Sequence, residues 1–187
     1  MKFLETVFVV VLCCLIPLTA GTICPAVTPN PGITDPSGCN SIITFTNSGF
    51  SIATVDLHPY EFSDDQLVGV VNNSSSPVTA IPLAGSGIFG FEGDGICSGS
   101  YIPASYCTSA DSTGYGPNGV TFTLTNADSG KVNFGGGGIA PGKMGFFSLE
   151  NAPSTGGITP GVPEPATLGM LGLGLVGLAA VGRKHLR

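Results

Sequence analysis

Two short acidic stretches hold the side chains best suited to chemistry in this chain of 187 residues. Asp64 and Asp65 are adjacent, and a Glu-Gly-Asp-Gly run places Glu92 and Asp94 two residues apart. Carboxylate oxygens are preferred ligands of Ca²⁺, although this spacing differs from that of an EF-hand loop. Asp-Gly pairs are also common in turns, where the carboxylates are simply solvated. We therefore treat these four residues as calcium-ligand candidates, and the sequence indicates no other cofactor.

Catalytic signatures are sparse. His58 is the single histidine of residues 22–160 and precedes a proline, as loop residues often do. The nucleophile elbow Gly-x-Ser-x-Gly is absent from the sequence. Asp64 with Asp65, or with Glu61 nearby, could form the carboxylate pair that a glycosidase needs. Adjacent residues of a strand, however, point to opposite faces of the sheet. We therefore expect a non-enzymatic protein, with a secreted hydrolase as the least favoured hypothesis.

Four cysteines lie beyond the apolar N-terminal segment, namely Cys24, Cys39, Cys97 and Cys107. In an exported protein they predict two disulfides, for which three pairings exist. We favour the pairing of nearest neighbours, because each such pair brackets a loop rich in Gly, Pro and Ser. A zinc site is the alternative, but the sequence has no Cys-x-x-Cys spacing and little histidine.

The charge balance excludes one class of partner. In residues 22–160, ten carboxylates against two lysines leave a formal net charge of −8. Such an acidic body repels phosphate backbones, so nucleic acid is not an expected partner. The run from Gly85 to Gly90 matches Gly-x-Gly-x-x-Gly, but the residues after it break helices. These glycines therefore indicate turns rather than a dinucleotide site.

Carbohydrate binding is a further hypothesis, because sugars stack on aromatic rings. The chain contains no tryptophan, but four tyrosines are available for such a surface: Tyr60, Tyr101, Tyr106 and Tyr115. The Asn72-Asn73-Ser74-Ser75 run contains glycosylation sequons, but an Asn/Ser turn explains it equally well.

Short segments with strand patterning must position these residues. Val120, Phe122 and Leu124 alternate with threonines, the period of a half-buried strand. Ile43 and Phe45 share a face in the same way, and a Ser-Gly turn after them predicts a hairpin. Gly and Pro interrupt every stretch too often for long helices. The sequence predicts an all-β fold, an antiparallel β-sandwich or a jelly-roll-like ectodomain.

Both ends of the chain indicate export. The apolar run of ten residues from Val7 to Ile16 is too short to span a bilayer and is typical of a signal peptide, with cleavage expected after Ala20 or Gly21. Residues 166–182 are uncharged and, as a helix, would extend about 26 Å, close to the hydrocarbon thickness of a bilayer. A basic cluster follows, namely Arg183, Lys184 and Arg187. Because Lys and Arg next to a membrane span remain on the cytoplasmic side, this cluster predicts that the body of the protein lies outside the cytoplasm.

The predicted organisation has five parts. A signal peptide occupies residues 1–21 and a Pro-rich, disulfide-closed arm residues 22–40. The β-sandwich ectodomain follows over 41–150, and a flexible linker over 151–161. Residues 162–187 form a sorting segment that includes the transmembrane helix 166–182.

The last 26 residues closely resemble the bacterial PEP-CTERM sorting signal: a Val162-Pro163-Glu164-Pro165 motif, an apolar segment and a basic cluster, in that order. The resemblance implies that a membrane-embedded exosortase recognises the proline-rich motif, with the apolar segment as a transient anchor and the basic residues as a stop. Two prolines around one residue also prevent the helix from continuing, which keeps this segment accessible to an enzyme. The resemblance further implies a Gram-negative source and a link with exopolysaccharide.

The body, from Tyr60 to Cys97 and beyond, resembles a recurrent β-rich ectodomain of proteins that carry this signal, without assigned chemistry. We therefore expect an exported, non-enzymatic cell-surface or extracellular-matrix protein. It would be anchored in the membrane before processing and associated with exopolysaccharide or biofilm. The alternative is an extracellular carbohydrate- or calcium-binding module.

Overall fold

The computed structural model describes residues 22–28, 32–61 and 63–153. The predicted signal peptide, most of the linker, and the sorting segment with its helix 166–182 lie outside these residues. Within the described ranges, no helix is long and apolar enough to cross a membrane.

Regular structure in the described residues consists of seven strands and one 3₁₀ turn at Ala104–Tyr106. In chain order the strands are β1 (Ser41–Thr46), β2 (Gly49–Thr54), β3 (Gln66–Asn72), β4 (Ala80–Ala84), β5 (Val120–Asn126), β6 (Ser129–Phe134) and β7 (Met144–Leu149). This confirms the all-β class.

The strands form a four-stranded sheet in the order β2-β1-β3-β7 and a three-stranded sheet in the order β4-β6-β5. Neighbouring strands are antiparallel except β1 and β3, which run parallel. The prediction of a purely antiparallel sandwich is therefore wrong for this pair. β2 ends beside the first residue of β1, because these two strands are antiparallel. The chain then crosses that end of the sheet and enters β3 from the same end as β1, so β3 runs parallel to β1.

Asn40 holds this crossing in place. The Asn40 side chain is fully buried, accepts a hydrogen bond from the Leu67 backbone N–H and donates one to the His58 carbonyl. Its own carbonyl accepts the N–H groups of Val55 and Asp56. One buried amide thus joins the start of β1, the connection and β3.

The predicted β1–β2 hairpin is confirmed, with Asn47 and Ser48 as its two-residue loop. Ile43 is fully buried and Phe45 packs against the same core, as the alternation predicts. In β5 the pattern holds for Val120 and Phe122 but not for Leu124, which is 46% exposed. The β5–β6 register shifts just after Leu124, where the strand runs past the core.

The main core lies between the two sheets, which makes the architecture a β-sandwich. Both sheets contribute buried side chains to it, including Ile43, Val68 and Phe147 from the four-stranded sheet and Ile81, Val132 and Phe134 from the three-stranded sheet.

A second apolar cluster covers the opposite face of the four-stranded sheet. It contains Leu67 of β3, Ile96 and Ile102 of the long loop before β5, and the arm residues Val27 and Ile33. Because both of its faces are covered, β3 is buried along almost its whole length.

The structure pairs Cys24 with Cys39 and Cys97 with Cys107, the nearest-neighbour arrangement that the sequence favours. The first disulfide lies directly on Gly69 of β3, where a Cβ atom would be 2.6 Å from the Cys39 sulfur. The absence of a side chain at Gly69 therefore allows the arm to dock on the sheet.

Candidate functional site

The pairing of β3 with β7 assembles an acidic site at one end of the four-stranded sheet. The antiparallel register places Gln66, the first residue of β3, opposite Leu149, the last residue of β7. Asp65 just before β3 and Glu150 just after β7 therefore lie side by side. Asp64 and Asp65 precede the strand, so the expectation that they point to opposite sides does not apply.

Asp64, Asp65 and Glu150 each bring one carboxylate oxygen to within 4.8 Å of the other two. Asp65 is 1% exposed and Glu150 5% exposed, whereas Asp64 is open to solvent. The group is thus a buried carboxylate pair with one exposed carboxylate at its mouth. We call these three residues the acidic cluster.

Tyr60 holds one oxygen of Asp65. Its fully buried hydroxyl donates a 2.6 Å hydrogen bond to Asp65 Oδ2, and its backbone N–H donates to the Asp65 carbonyl. The other carboxylate oxygen, Asp65 Oδ1, is buried and accepts no hydrogen bond from the described residues. A buried carboxylate oxygen without a partner is costly, so this environment favours protonation of Asp65 or a bound ligand.

Tyr115 connects the acidic cluster to Asp94. Its buried hydroxyl lies 2.7 Å from Glu150 Oε2 and 2.8 Å from Asp94 Oδ1. Two features fix the ring: it stacks on Phe91 with centroids 4.2 Å apart, and a Cβ atom at Gly95 would lie 2.5 Å from it. Gly95 therefore permits the close approach that brings Asp94 to the site.

The electrostatics of the site follow from burial. Desolvation raises the pKa of Asp65 to about 7, outweighing the lowering effects of the Tyr60 and Tyr115 hydroxyls, and nearby Glu150 adds to the rise. Burial also raises the pKa of Glu150, in spite of its hydrogen bond from Tyr115. The pKa values of Tyr60 and Tyr115 are raised by burial and by the neighbouring carboxylates.

The acidic cluster has no basic counterion in the described part of the chain. The single close contact there between a carboxylate and a basic side chain joins Asp56 to His58. The only lysines of residues 22–160 are Lys131 and Lys143, and both side chains are exposed. The negative charge around Asp65 and Glu150 is therefore not neutralised by protein cations.

Of the calcium-ligand candidates, Asp64 and Asp65 belong to the acidic cluster, and Asp94 adjoins it through Tyr115. Glu92 is exposed and lies outside the 4.8 Å group. Sequence reasoning missed Glu150 as a ligand candidate, because only the strand register brings it next to Asp65.

His58 and Asp56 form a structural turn. Asp56 Oδ1 accepts a hydrogen bond from the backbone N–H of His58. The same oxygen lies 2.8 Å from ring atom Nδ1 of His58. Asp56 Oδ2 accepts the N–H and hydroxyl of Thr34 and the N–H of Asp35. Burial by itself raises the pKa of Asp56, but these hydrogen bonds outweigh it and hold the pKa far below its usual range.

The four tyrosines do not form a common sugar-stacking surface. Tyr60 and Tyr115 are fully buried in the site described above, and Tyr101 packs edge-on against Tyr60. Tyr106 is 42% exposed and borders a cleft of about 440 Å³ beside Ile23, Met144 and Phe146. The described residues that line this cleft include no Asp, Glu or His.

The two remaining motifs serve turns. Gly85, Gly87 and Gly90 lie in a turn after β4, in which the Gly90 N–H donates to the Gly87 carbonyl and no helix follows. Asn72 is fully buried, and its amide hydrogen-bonds to the carbonyls of Ser76 and Ile139. Its side chain is therefore a structural part of the turn after β3.

Comparison with known protein families matches residues 161–184 to the PEP-CTERM protein-sorting motif. The match includes Val162, Pro163, Glu164 and Pro165 as well as Arg183 and Lys184, and ends before Arg187. All of these residues lie outside the described part of the structure. No curated protein and no solved structure matches the chain. The motif marks an exported protein that is sorted and processed through exosortase.

Proposed function

We propose that this chain is a non-enzymatic protein of the cell surface or extracellular matrix, delivered by its C-terminal sorting motif. The observation that carries the proposal is the match of residues 161–184 to the PEP-CTERM motif. It agrees with the apolar N-terminal segment and with the cysteines, which are joined in two disulfides as is usual for exported domains.

The body supports a structural role rather than catalysis. A hydrolytic carboxylate pair must be open to substrate, but Asp65 and Glu150 are almost wholly buried. The open cleft beside Tyr106 is lined mostly by apolar residues and glycines, with Asn118 and Thr22 as polar members and without a described Asp, Glu or His. The cleft and the carboxylates thus occur in different places.

In this proposal each part of the sorting segment has its own task. Pro163, Glu164 and Pro165 form the segment that exosortase recognises. Residues 166–182 hold the chain in the membrane until processing, and the basic residues after them keep that end in the cytoplasm. The released or attached β-sandwich then takes part in the exopolysaccharide matrix.

Replacement of Pro163, Glu164 and Pro165 by alanine tests the sorting step. We expect the full-length variant to accumulate in the membrane, whereas the wild type matures to a shorter form, as judged by fractionation and intact mass. The matched control replaces three linker residues, Ser154, Thr155 and Gly156, by alanine and should mature normally. Normal maturation of the motif variant would overturn the role of the motif.

The structural role is tested separately with the body. On a glycan array, a matrix protein without ligand specificity should show no selective binding. Selective binding of one sugar would instead favour the carbohydrate-binding alternative. Loss of the protein should also reduce retention of exopolysaccharide at the cell surface, and unchanged retention would contradict the matrix link.

A further inference from the structure

We propose that Asp64, Asp65 and Glu150 form a Ca²⁺ site at the end of the β3–β7 pair, with Asp94 held next to it by Tyr115. This inference goes beyond the sorting function and does not depend on it.

The spacing of the acidic cluster fits one cation. Ca²⁺ binds oxygen ligands at about 2.3–2.6 Å, so two oxygens on the same ion lie within roughly 5 Å of each other. The three carboxylate oxygens satisfy this condition, since all lie within 4.8 Å of one another. They come from two strand ends that the Gln66–Leu149 register holds together.

The strongest indication is the unpartnered oxygen of Asp65. Asp65 is 1% exposed, and the Tyr60 hydroxyl donates to its Oδ2, while the buried Oδ1 accepts no hydrogen bond from the described part of the chain. A bound cation would give this oxygen the partner that residues 22–28, 32–61 and 63–153 do not supply. Asp64 is the solvent-exposed member of the cluster.

The contacts of Tyr115 point the same way. A hydroxyl carries one hydrogen and can donate to one acceptor at a time. The Tyr115 hydroxyl nevertheless lies within 2.8 Å of carboxylate oxygens from both Asp94 and Glu150. Two carboxylates around one hydroxyl are stabilised by a shared proton or by a bound cation, and the described residues place no lysine or arginine in an ion pair there.

The ligand chemistry favours calcium over other metals. The donor set consists of oxygens alone, whereas zinc sites in proteins rely on cysteine and histidine. Mg²⁺ requires near-ideal octahedral geometry and keeps several waters, which a pair of buried carboxylates does not easily accommodate. Ca²⁺ accepts irregular coordination by six to eight oxygens, so waters at the Asp64 side can complete its shell.

Isothermal titration calorimetry with CaCl₂ as the titrant tests the site. The protein is the exported full chain, which is purified in detergent and treated with EDTA before the titration. We expect one site per chain with a Kd of roughly 0.1–1 mM, the range of extracellular calcium modules. Tyrosine-sensitised Tb³⁺ luminescence gives a second readout, because the chain has no tryptophan and Tyr60 and Tyr115 adjoin the cluster.

Asp64→Asn is the main variant, because Asp64 is exposed and its replacement leaves the buried packing intact. We expect at least about tenfold weaker binding, since calcium affinity depends on the number of charged ligands. Glu92→Gln removes the same charge from a neighbouring exposed position and is the matched control, with less than about a threefold effect. Asp65→Asn should abolish binding.

Three results would overturn the proposal. One is the absence of both heat and sensitised luminescence at about 10 mM metal ion, well above the expected Kd. Another is equal weakening by Asp64→Asn and Glu92→Gln, which would show a general charge effect. The third is Mg²⁺ binding as tight as that of Ca²⁺, which would contradict the assignment of the metal.

Discussion

The hydroxyl of Tyr60 donates a 2.6 Å hydrogen bond to Asp65 Oδ2, and both side chains are almost completely removed from solvent. Tyr60 is only five residues from Asp65 in the sequence, but the other residues of the site are brought there by distant strands. Glu150 reaches Asp65 only through the β3–β7 register, and Tyr115 is held by hydrogen bonds from Ser148 to its carbonyl.

Tyr60→Phe should destabilise the calcium-free protein by about 1–3 kcal/mol, because it leaves the buried Asp65 carboxylate without its hydrogen-bond donor. Tyr106→Phe is the control, since Tyr106 is exposed and its ring contact with Phe146 is retained. Urea denaturation in EDTA measures both. Equal effects of the two substitutions would contradict a special role for the Tyr60 hydroxyl.

Asp56→Asn should lower stability in a pH-dependent way. Hydrogen bonds hold the folded-state pKa of Asp56 far below the unfolded value of about 3.9, so its charged form stabilises the fold above that pH. This contribution is lost as the pH falls below about 4 toward the folded-state pKa. The difference in Tm between wild type and variant should therefore be largest at neutral pH and shrink in acid. A difference that grows in acid would refute this assignment.

Gly69→Ala should cost about 1–3 kcal/mol, because the new methyl group collides with packed atoms. It would lie 2.6 Å from the Cys39 sulfur and 2.7 Å from Ile23 Cγ2. The same substitution in a Cys24→Ala/Cys39→Ala background should cost less, since the bulky sulfurs are gone. A double-mutant cycle measures this coupling, and strictly additive effects would show that the clash is unimportant.

Removal of the Cys24–Cys39 disulfide should destabilise the fold more than removal of Cys97–Cys107. Each bridge closes a short loop, with sequence separations of 15 and 10, worth about 3 kcal/mol in chain entropy. Cys24 and Cys39 are also buried against β3, so their replacement by alanine leaves a cavity, whereas Cys97 and Cys107 are half-buried. Denaturation midpoints of the two double-alanine variants give the comparison, and the reverse order would contradict it.

Several features of the fold were predictable because the signals for them are local. Alternation in the first strand identifies the buried face of Ile43 and Phe45. The Ser-Gly pair after that strand predicts the hairpin, although its loop is Asn47–Ser48 and Gly49 is the first residue of β2. The nearest-neighbour disulfides follow from short loops between the cysteines. The C-terminal sorting motif is likewise a contiguous string, which the family match confirms.

Other features depend on pairings between distant segments. Leu124 alternates correctly with threonines but lies at a register shift beyond the core, so its exposure cannot be inferred from its neighbours. The parallel pairing of β1 with β3 likewise depends on where residues 55–65 cross the sheet. Strand order is decided by the packing of both sheets, which no local pattern encodes.

By itself, the sequence determined the β-class, the hairpin and the sorting motif, because each is written in neighbouring residues. It favoured the nearest-neighbour disulfides among three possible pairings, and the structure decided between them. Only the tertiary structure decided that Glu150 belongs with Asp64 and Asp65, and that one buried oxygen of Asp65 has no hydrogen-bond partner among the described residues. The physical reason is that burial and charge at this site arise where two strand ends meet. Residues far apart in sequence become neighbours there through backbone register rather than through their own types.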